Sequence, residues 1–273
     1  MSLSSKTPPV ALTIAGSDSS GGAGIQADLK TFAALKVYGT SAISAITAQN
    51  TNGVEKVQIL LPDIVEAQVQ AVTSDMFVRA TKVGMLGSFE NVALLARMID
   101  EGTIEKVVVD PVMVATSGDR LMNLGVDKSY IELILPRTFI LTPNLTEAQT
   151  LLRAEISSVE QLTEAAFTLC SMGPKYVLLK GGHLDSNESI DILCDGKNAH
   201  QLKSRKIFTE NTHGTGCTLS SAVAASLAKG QDVLTAVKNA KIYVAKSIEG
   251  GSHWAIGKGN GPLDHFGWSV QDH

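Results

Sequence analysis

Short apolar runs alternate with stretches of helical periodicity along most of this 273-residue chain, and this alternation limits the possible folds more than any other feature. Residues 10–15 and Val107–Val109 have the length and the aliphatic content of buried strands. Residues 63–74 and 89–101 carry apolar side chains at helical spacing. Strands that alternate with helices form a mostly parallel sheet covered by helices on both faces. The sequence therefore predicts an α/β fold.

The remaining elements continue the same pattern. The predicted strands are residues 10–15, 40–47, 81–85, 107–109, 138–141 and 176–179. The predicted helices are residues 25–36, 63–74, 89–101, 127–135, 145–153, 159–172, 215–229 and 233–248. Residues 189–193 and 199–207 flank the turn at Asp195 and Gly196, and they predict a small antiparallel edge hairpin. We find no repeat or linker that divides the chain, so we expect a single domain over residues 1–273, with a flexible N-terminus at 1–9.

Composition excludes several classes of function. A net charge of −4 without a basic run argues against nucleic acid and anionic membrane as partners, and no apolar run is long enough to span a membrane. Cys170, Cys194 and Cys217 form no C-x-x-C pair, which argues against a disulfide framework or a structural zinc site. We interpret the lone histidines His183 and His213 as structural or rim residues. These features favour a cytoplasmic protein with a small ligand.

The segment Asn211-Thr212-His213-Gly214-Thr215-Gly216-Cys217-Thr218 runs directly into a helix of small residues. Glycines on both sides of Thr215 allow several unpaired N–H groups to point at one spot, where the helix dipole favours an anion. Cys217 lies in the first turn, where the same field favours the thiolate, so it is a candidate proton acceptor for phosphoryl transfer. The lysine of a Walker loop is missing. The alternative is an ordinary helix entry with Cys217 packed as a small apolar residue.

A second glycine-rich loop, residues 16–24, follows the first predicted strand and opens the first helix. Residues 22–27 fit the dinucleotide pattern G-x-G-x-x-A. A dinucleotide site also needs an acidic residue at the end of the second strand, and that strand ends without one. Gln49 lies there instead, with a donor and an acceptor that suit a heterocycle carrying an amino group next to a ring nitrogen. The alternative is that Gln49 only caps a turn.

Polar residues follow three further predicted strands, whose carboxyl ends should meet at one edge of the sheet. Asp110 follows the strand at 107–109 and could hold a cation near phosphates. Asn144 and Glu147 share a face at the start of a helix and could hold magnesium through water, or could simply cap that helix. Lys180 ends its strand among glycines and could reach a transferring phosphate, or could be a solvated lysine before a turn.

In order along the chain, these segments closely resemble the hydroxymethylpyrimidine/phosphomethylpyrimidine kinases of thiamin biosynthesis, which belong to the ribokinase-like superfamily. The segments that carry the resemblance are residues 12–28 (LTIAGSDSSGGAGIQAD), 47–51 (TAQNT), 84–86 (GML), 142–148 (TPNLTEA), 180–183 (KGGH), 211–218 (NTHGTGCT) and 257–262 (GKGNGP). The match extends from about residue 10 to about residue 266. It is specific because so many motifs occur in the same order.

The resemblance implies a ribokinase-like sheet and two successive phosphorylations with ATP and Mg²⁺ as cofactors. The first acts on the hydroxymethyl group of 4-amino-5-hydroxymethyl-2-methylpyrimidine, and the second converts the monophosphate into the diphosphate. The implied pyrimidine site consists of Gly16, Asp18, Ala23, Gln49, Met85 and Val112. The implied phosphoryl-transfer site consists of Cys217 as the base, Lys180 and the anion hole Gly214, Thr215 and Gly216. The implied ATP and metal ligands are Asn144, Lys180 and Thr215 for ATP, and Asp110 and Glu147 for magnesium.

The residue at position 217 differs from that of the wider superfamily, and this difference narrows the expected substrate class. Most sugar and nucleoside kinases carry aspartate at the position of Cys217, and cysteine there marks the pyrimidine and pyridoxal kinases. A pyridoxine or pyridoxal kinase is therefore the main alternative, and a non-catalytic small-molecule binding protein is a distant one. The superfamily also suggests a homodimer.

Overall fold

A single nine-stranded sheet forms the centre of the computed structural model, which describes residues 7–112, 126–182 and 188–269. Its strands are β1 (Val10–Gly16), β2 (Tyr38–Asn50), β3 (Gly53–Ile59), β4 (Val78–Val83), β5 (Val107–Val109), β6 (Ile140–Leu141), β7 (Tyr176–Lys180), β8 (Glu188–Cys194) and β9 (Ala199–Arg205). Their order across the sheet is β3-β2-β1-β4-β5-β6-β7-β8-β9. Residues 1–6 of the predicted N-terminal segment and His183 lie outside the described residues.

Helices cover both faces of this sheet, as the alternation of elements predicts. They are α1 (Gly24–Ala34), α2 (Pro62–Thr73), α3 (Phe89–Asp100), α4 (Val126–Ser129), α5 (Leu145–Leu152), α6 (Val159–Ser171), α7 (Thr215–Ala228) and α8 (Val233–Gly251). One buried apolar cluster joins the sheet to α2, α3, α5 and α6, and a second joins the other face to α1, α7 and α8. None of the helices in the described ranges has the length and apolar character needed to cross a membrane.

The strand order changes direction at β1, and this point determines where a ligand can bind. β1 pairs in parallel with β2 on one side and with β4 on the other. The chain therefore leaves β1 towards one edge and returns to fill the other half of the sheet through β4, β5, β6 and β7, all parallel. In such sheets a crevice opens at the carboxyl ends of the strands next to the switch point.

Both edges of the sheet are antiparallel, and only one of them was expected. The hairpin predicted at residues 189–193 and 199–207 is confirmed as β8 and β9. At the other edge the strand predicted at 40–47 is confirmed as part of the longer β2, Tyr38–Asn50, which then turns back into the unpredicted antiparallel strand β3. Most β3 side chains are exposed, so the strand lacks the apolar alternation by which it could have been recognised.

The helix predicted at residues 127–135 is also corrected. The four-residue helix α4 gives way to a wider π-helical turn at Tyr130–Ile134 and a tight 3₁₀ turn at Leu135–Arg137. Pro136 cannot donate a backbone hydrogen bond, which prevents a regular continuation. The following strand shortens from the predicted 138–141 to Ile140–Leu141.

Candidate active site

A cleft of about 1130 Å³ lies at the carboxyl ends of the central strands. It is bordered by the glycine loop after β1, the end of β2, the residues that follow β4, β5 and β6, the end of β7 and the start of α7. Every site residue that the sequence predicts lines this cleft: Gly16, Asp18, Ala23, Gln49, Met85, Asp110, Val112, Asn144, Glu147, Lys180, Gly214, Thr215, Gly216 and Cys217. The parallel sheet gathers them because its strand ends share one edge.

The two glycine loops meet at the start of α7. Gly214 precedes the helix in a left-handed conformation with φ of 82°, which disfavours any residue with a side chain. A Cβ atom at Gly214 would also collide with the backbone carbonyl oxygen of Gly22 in the other loop. The Thr215 hydroxyl is bonded to the Thr212 carbonyl at 2.7 Å, which tightens the turn. The first-turn amides of α7 therefore start at the cleft, where an anion would meet the positive end of the helix.

Cys217 lies in that first turn, partly exposed to the cleft, but the expected thiolate is wrong for the free protein. Burial and the carboxylates of Asp28 and Asp110 raise the pKa of the Cys217 thiol to about 11, and Lys82 opposes this rise only in part. The helix field was the only influence visible in the sequence, and it is outweighed by desolvation and by two nearby negative charges. The resting side chain at neutral pH is the thiol.

Asp18 organises the first glycine loop. Its carboxylate accepts hydrogen bonds from the amides of Ser20, Gly22 and Ala23 and approaches His213 Nε2 to 2.8 Å. Burial alone would raise the pKa of Asp18, but these bonds, led by the one from His213, lower it to about 2. The carboxylate is only 2% exposed and its protein partners satisfy it, so this geometry supports a role in holding the loop.

His213 belongs to the site, which the sequence did not indicate. Its ring is buried, bonds Asp18, and lies so close to Gly22 that a Cβ there would collide with ring atom Cδ2. The same nitrogen, Nε2, lies 3.4 Å from Nε2 of Gln49. His213 thus links the loop after β1 with the predicted ring-reading residue, and a lone histidine before a glycine turn gives no signal of such a contact.

The polar residues at the other end of the cleft form a charged cluster. Lys180 Nζ lies 3.3 Å from Asp110 Oδ1, and both side chains are largely buried. Asn144 and Glu147 cap α5 reciprocally: the Glu147 carboxylate accepts the Asn144 amide at 2.7 Å, and the Asn144 side chain accepts the Glu147 amide at 2.9 Å. The capping role left open by the sequence is confirmed, while Glu147 still faces the cleft.

The donor atoms of this cluster fit a magnesium ion. Burial raises the pKa of Glu147 to about 7, the charge of Asp110 adds to the rise, and Lys180 opposes it. A bound cation stabilises two carboxylates that lie close together, because it compensates their negative charge. Within the described ranges no three His, Cys, Asp or Glu side chains gather into a metal site. Magnesium sites with one or two carboxylates are completed by water and substrate phosphates.

A buried ion pair beneath α7 was also missed by sequence reasoning. Lys82 on β4 lies 2.9 Å from Asp28 on α1, and both side chains are fully buried. Asp28 lies at the apolar spacing of its helix and Lys82 lies inside a strand, but nothing in the sequence indicates that these two charges pair.

Comparison with known proteins gives consistent matches over nearly the whole chain. The sequence model of the phosphomethylpyrimidine kinase family matches residues 18–264. A hydroxymethylpyrimidine/phosphomethylpyrimidine kinase of Rhizobium meliloti is 48% identical over 258 residues, which cover 94% of this chain and 97% of the relative. The chloroplastic thiamine biosynthetic bifunctional enzyme TH1 of Arabidopsis thaliana is 48% identical over 261 residues. That match covers 94% of this chain and 50% of the plant enzyme, so the chain spans about half the length of that relative.

Among solved structures, the pyridoxal kinase of Staphylococcus aureus in complex with AMP-PCP and pyridoxal superposes with a TM-score of 0.88 at 36% identity. The match covers 98% of this chain and 97% of that chain. The mostly parallel sheet with helices on both faces and the extent of this superposition show a ribokinase-like fold.

Proposed function

This chain belongs to the phosphomethylpyrimidine kinase family, and from that premise we propose that its cleft phosphorylates 4-amino-5-hydroxymethyl-2-methylpyrimidine and then its monophosphate, with ATP as the donor. The product is the diphosphate used in thiamin biosynthesis. The observation that carries the proposal is the meeting of Gln49, Cys217 and Lys180 in one cleft at the start of α7. That arrangement provides a ring-reading amide, a proton acceptor and a phosphate-binding cation within reach of one ligand.

The first phosphorylation needs the substrate hydroxyl to lose a proton as its oxygen attacks the γ-phosphorus. Cys217 takes this proton at its sulfur atom, which requires the thiolate form. Lys180 screens negative charge on the phosphates, and the amides around Gly214 and Gly216 hold the equatorial oxygens during transfer. The protein thus acts mainly by positioning and by compensating charge.

ATP and Mg²⁺ lie, in this proposal, between α5 and the start of α7. Asn144, Lys180 and Thr215 would hold the nucleotide, and Asp110 and Glu147 would hold the ion, with its remaining positions left to water and phosphate oxygens. The ion supplies charge neutralisation on the phosphates. A homodimer, a single domain and a cytoplasmic location stay predictions.

Product analysis tests the proposed function. The purified protein would be incubated with MgATP and, in separate reactions, with the hydroxymethylpyrimidine, its monophosphate, pyridoxine and pyridoxal. We expect mass spectrometry to find the pyrimidine mono- and diphosphate as the main products. Faster formation of pyridoxal phosphate would favour the pyridoxal kinase alternative, which the AMP-PCP and pyridoxal complex of the structural neighbour motivates. Ligand binding without ATP turnover would favour a binding protein.

Gln49→Leu should weaken pyrimidine binding and leave ATP binding unchanged. The change removes one donor and one acceptor that face the ring side of the cleft, at a cost of about 1–3 kcal/mol or roughly 5- to 150-fold in the Michaelis constant for the pyrimidine. Steady-state kinetics with each substrate varied in turn would measure it. Gln70→Leu, at an exposed position of α2, is the matched control and should change neither constant. An unchanged constant for the pyrimidine in Gln49→Leu would remove Gln49 from the site.

Glu147→Gln should raise the Mg²⁺ concentration needed for half-maximal activity, and added Mg²⁺ should restore part of the loss. The glutamine can still accept the Asn144 amide, so the cap persists while the charge disappears. Because the pKa of Glu147 is raised to about 7, its charged fraction grows as pH rises. The apparent Mg²⁺ affinity of the unmodified protein should therefore increase between pH 6 and 8. Below the pKa, this increase is limited to about tenfold per pH unit, which is the growth of the charged fraction.

The control for this test is Glu160→Gln, which changes an exposed first-turn acid of α6 outside the cleft. It should leave the Mg²⁺ requirement and its pH dependence unchanged. If Glu147→Gln responds to Mg²⁺ and pH as the unmodified protein does, Glu147 has only its capping role.

A further inference from the structure

One carboxylate beneath the cleft joins four elements of the fold. Asp28 on α1 accepts a hydrogen bond from Thr13 on β1 at 2.6 Å and one from Ser221 on α7 at 2.6 Å. It also accepts Lys82 Nζ on β4 at 2.9 Å. All four side chains are fully buried. A buried carboxylate that accepts three hydrogen bonds has little freedom to move. The Lys82 side chain is therefore held in one position relative to α7.

The position of this pair relative to Cys217 follows from helix geometry. Cys217 and Ser221 are four residues apart on α7, so their side chains lie on the same face of the helix. Ser221 contacts Asp28 directly, and Lys82 lines the same cleft as Cys217. The Lys82 ammonium, with three N–H groups, has Asp28 as its one acceptor in the part of the chain that the structure describes. The positive charge of Lys82 therefore lies next to the Cys217 end of α7, and its hydrogen bond to Asp28 uses only one of its three N–H groups.

We propose that Lys82 is a positioning residue of the reaction: its ammonium, fixed by Asp28, compensates the negative charge that forms on Cys217 during phosphoryl transfer. The proposal rests on the proposed function, since it names what makes the Cys217 sulfur able to accept the substrate proton. The charged groups facing Cys217 are Lys82 from β4, Asp28 from α1, Asp110 after β5 and Lys180 from β7. Lys82 is the largest influence among them that lowers the pKa of the thiol.

The proposal predicts opposite effects on the Cys217 thiolate for substitutions at the two members of the ion pair. Lys82→Met keeps the length of the side chain and removes the positive charge, which leaves Asp28 to repel a thiolate at Cys217. Asp28→Asn keeps the shape of the carboxylate and leaves Lys82 with its full effect on the thiol. If the pair served only to pack the helices together, both changes would loosen the same network and act in the same direction.

Alkylation of the free protein by iodoacetamide at pH 8, followed on the Cys217 peptide by mass spectrometry, separates these cases. We expect Lys82→Met to react at least about tenfold more slowly at Cys217 than the unmodified protein, which corresponds to one pKa unit. Asp28→Asn should react at least as fast as the unmodified protein. Cys170, on α6 in the apolar cluster on the opposite face of the sheet from α1 and α7, is an internal reference whose rate should stay constant. Equal slowing in both variants, or an unchanged rate in Lys82→Met, would overturn the proposal.

Kinetics give a second readout. Lys82→Met should lower kcat of the first phosphorylation at least about tenfold and that of the second much less, with the Michaelis constant for ATP unchanged. Lys82→Arg, which keeps the charge, should recover part of the first rate. Thr81→Val is the matched control, because Thr81 is the buried neighbour of Lys82 on β4 and its hydroxyl has no partner within the described residues. It should match the unmodified protein in both assays.

The experiment still tests the proposal if Lys82→Met fails to fold or if the unmodified protein shows no kinase activity. If Lys82→Met does not accumulate as folded protein, the double variant Asp28→Asn/Lys82→Met, which buries no unpaired charge, replaces it. Slower alkylation of Cys217 in the double variant than in Asp28→Asn, from which it differs only at position 82, supports the proposal, and an equal rate in these two variants overturns it. If the unmodified protein forms no pyrimidine phosphate, the proposed function fails by itself, while the alkylation rates still report on Lys82 and Cys217.

Discussion

Cys217→Ala should slow the first phosphorylation by about 10²–10⁴-fold, the usual contribution of a positioned general base. The second phosphorylation should fall much less, because its nucleophile is a phosphate oxygen that is already ionised near neutral pH. Folding and ATP binding should persist, since alanine is tolerated in the first turn of α7 and the amides of Gly214–Gly216 are untouched. Separate rate measurements with the pyrimidine and with its monophosphate would establish the ratio.

The pH profile is a control for the Cys217 prediction. The thiol has a pKa of about 11, so its thiolate fraction grows roughly tenfold per pH unit below that value. At saturating Mg²⁺, the first phosphorylation by the unmodified protein should therefore accelerate between pH 6 and 9, and this dependence should be missing in Cys217→Ala. Equal losses in both phosphorylations would mean that Cys217 only shapes the anion hole. An unimpaired first step would remove it as the base.

Gly214→Ala should impair both phosphorylations together, by about 10²–10³-fold, as expected when a donor for the transferring group is displaced. The new Cβ would need a left-handed backbone at φ of 82° and would collide with the Gly22 carbonyl oxygen, so the two glycine loops must separate. We also expect a loss of about 1–3 kcal/mol in the free energy of unfolding from this strain. Parallel rate and denaturation measurements would detect both effects.

Gly230→Ala provides a closely matched control. Gly230 follows the other end of α7 with φ of 83°, and a Cβ there would meet no atom within 4 Å. This variant should lose about 1 kcal/mol of stability from the left-handed backbone alone and keep the activity of the unmodified protein. If both glycine variants lose activity equally, general destabilisation explains the result and the contact with Gly22 does not.

Prediction from the sequence worked best for elements whose apolar residues are buried in a regular pattern. The strands at 10–15 and 107–109 and the helix at 159–172 were found within a few residues, because apolar spacing reports burial directly. β3 escaped because most of its side chains are solvated, although backbone pairing with β2 makes it a strand. The break at Tyr130–Ile134 escaped because helical spacing continues through a π-helical turn.

The sequence by itself determined the α/β class, the family and the residues that line the cleft, because motifs at strand ends must converge at one edge of a parallel sheet. The tertiary structure alone decided their electrostatics. Burial, Asp28 and Asp110 raise the pKa of Cys217 so that the thiol replaces the expected thiolate, and burial raises the pKa of Glu147 to about 7. His213 and Lys82 joined the site through partners 195 and 54 residues away in the chain. Desolvation and long-range charge depend on the surroundings in space, which local sequence patterns do not specify.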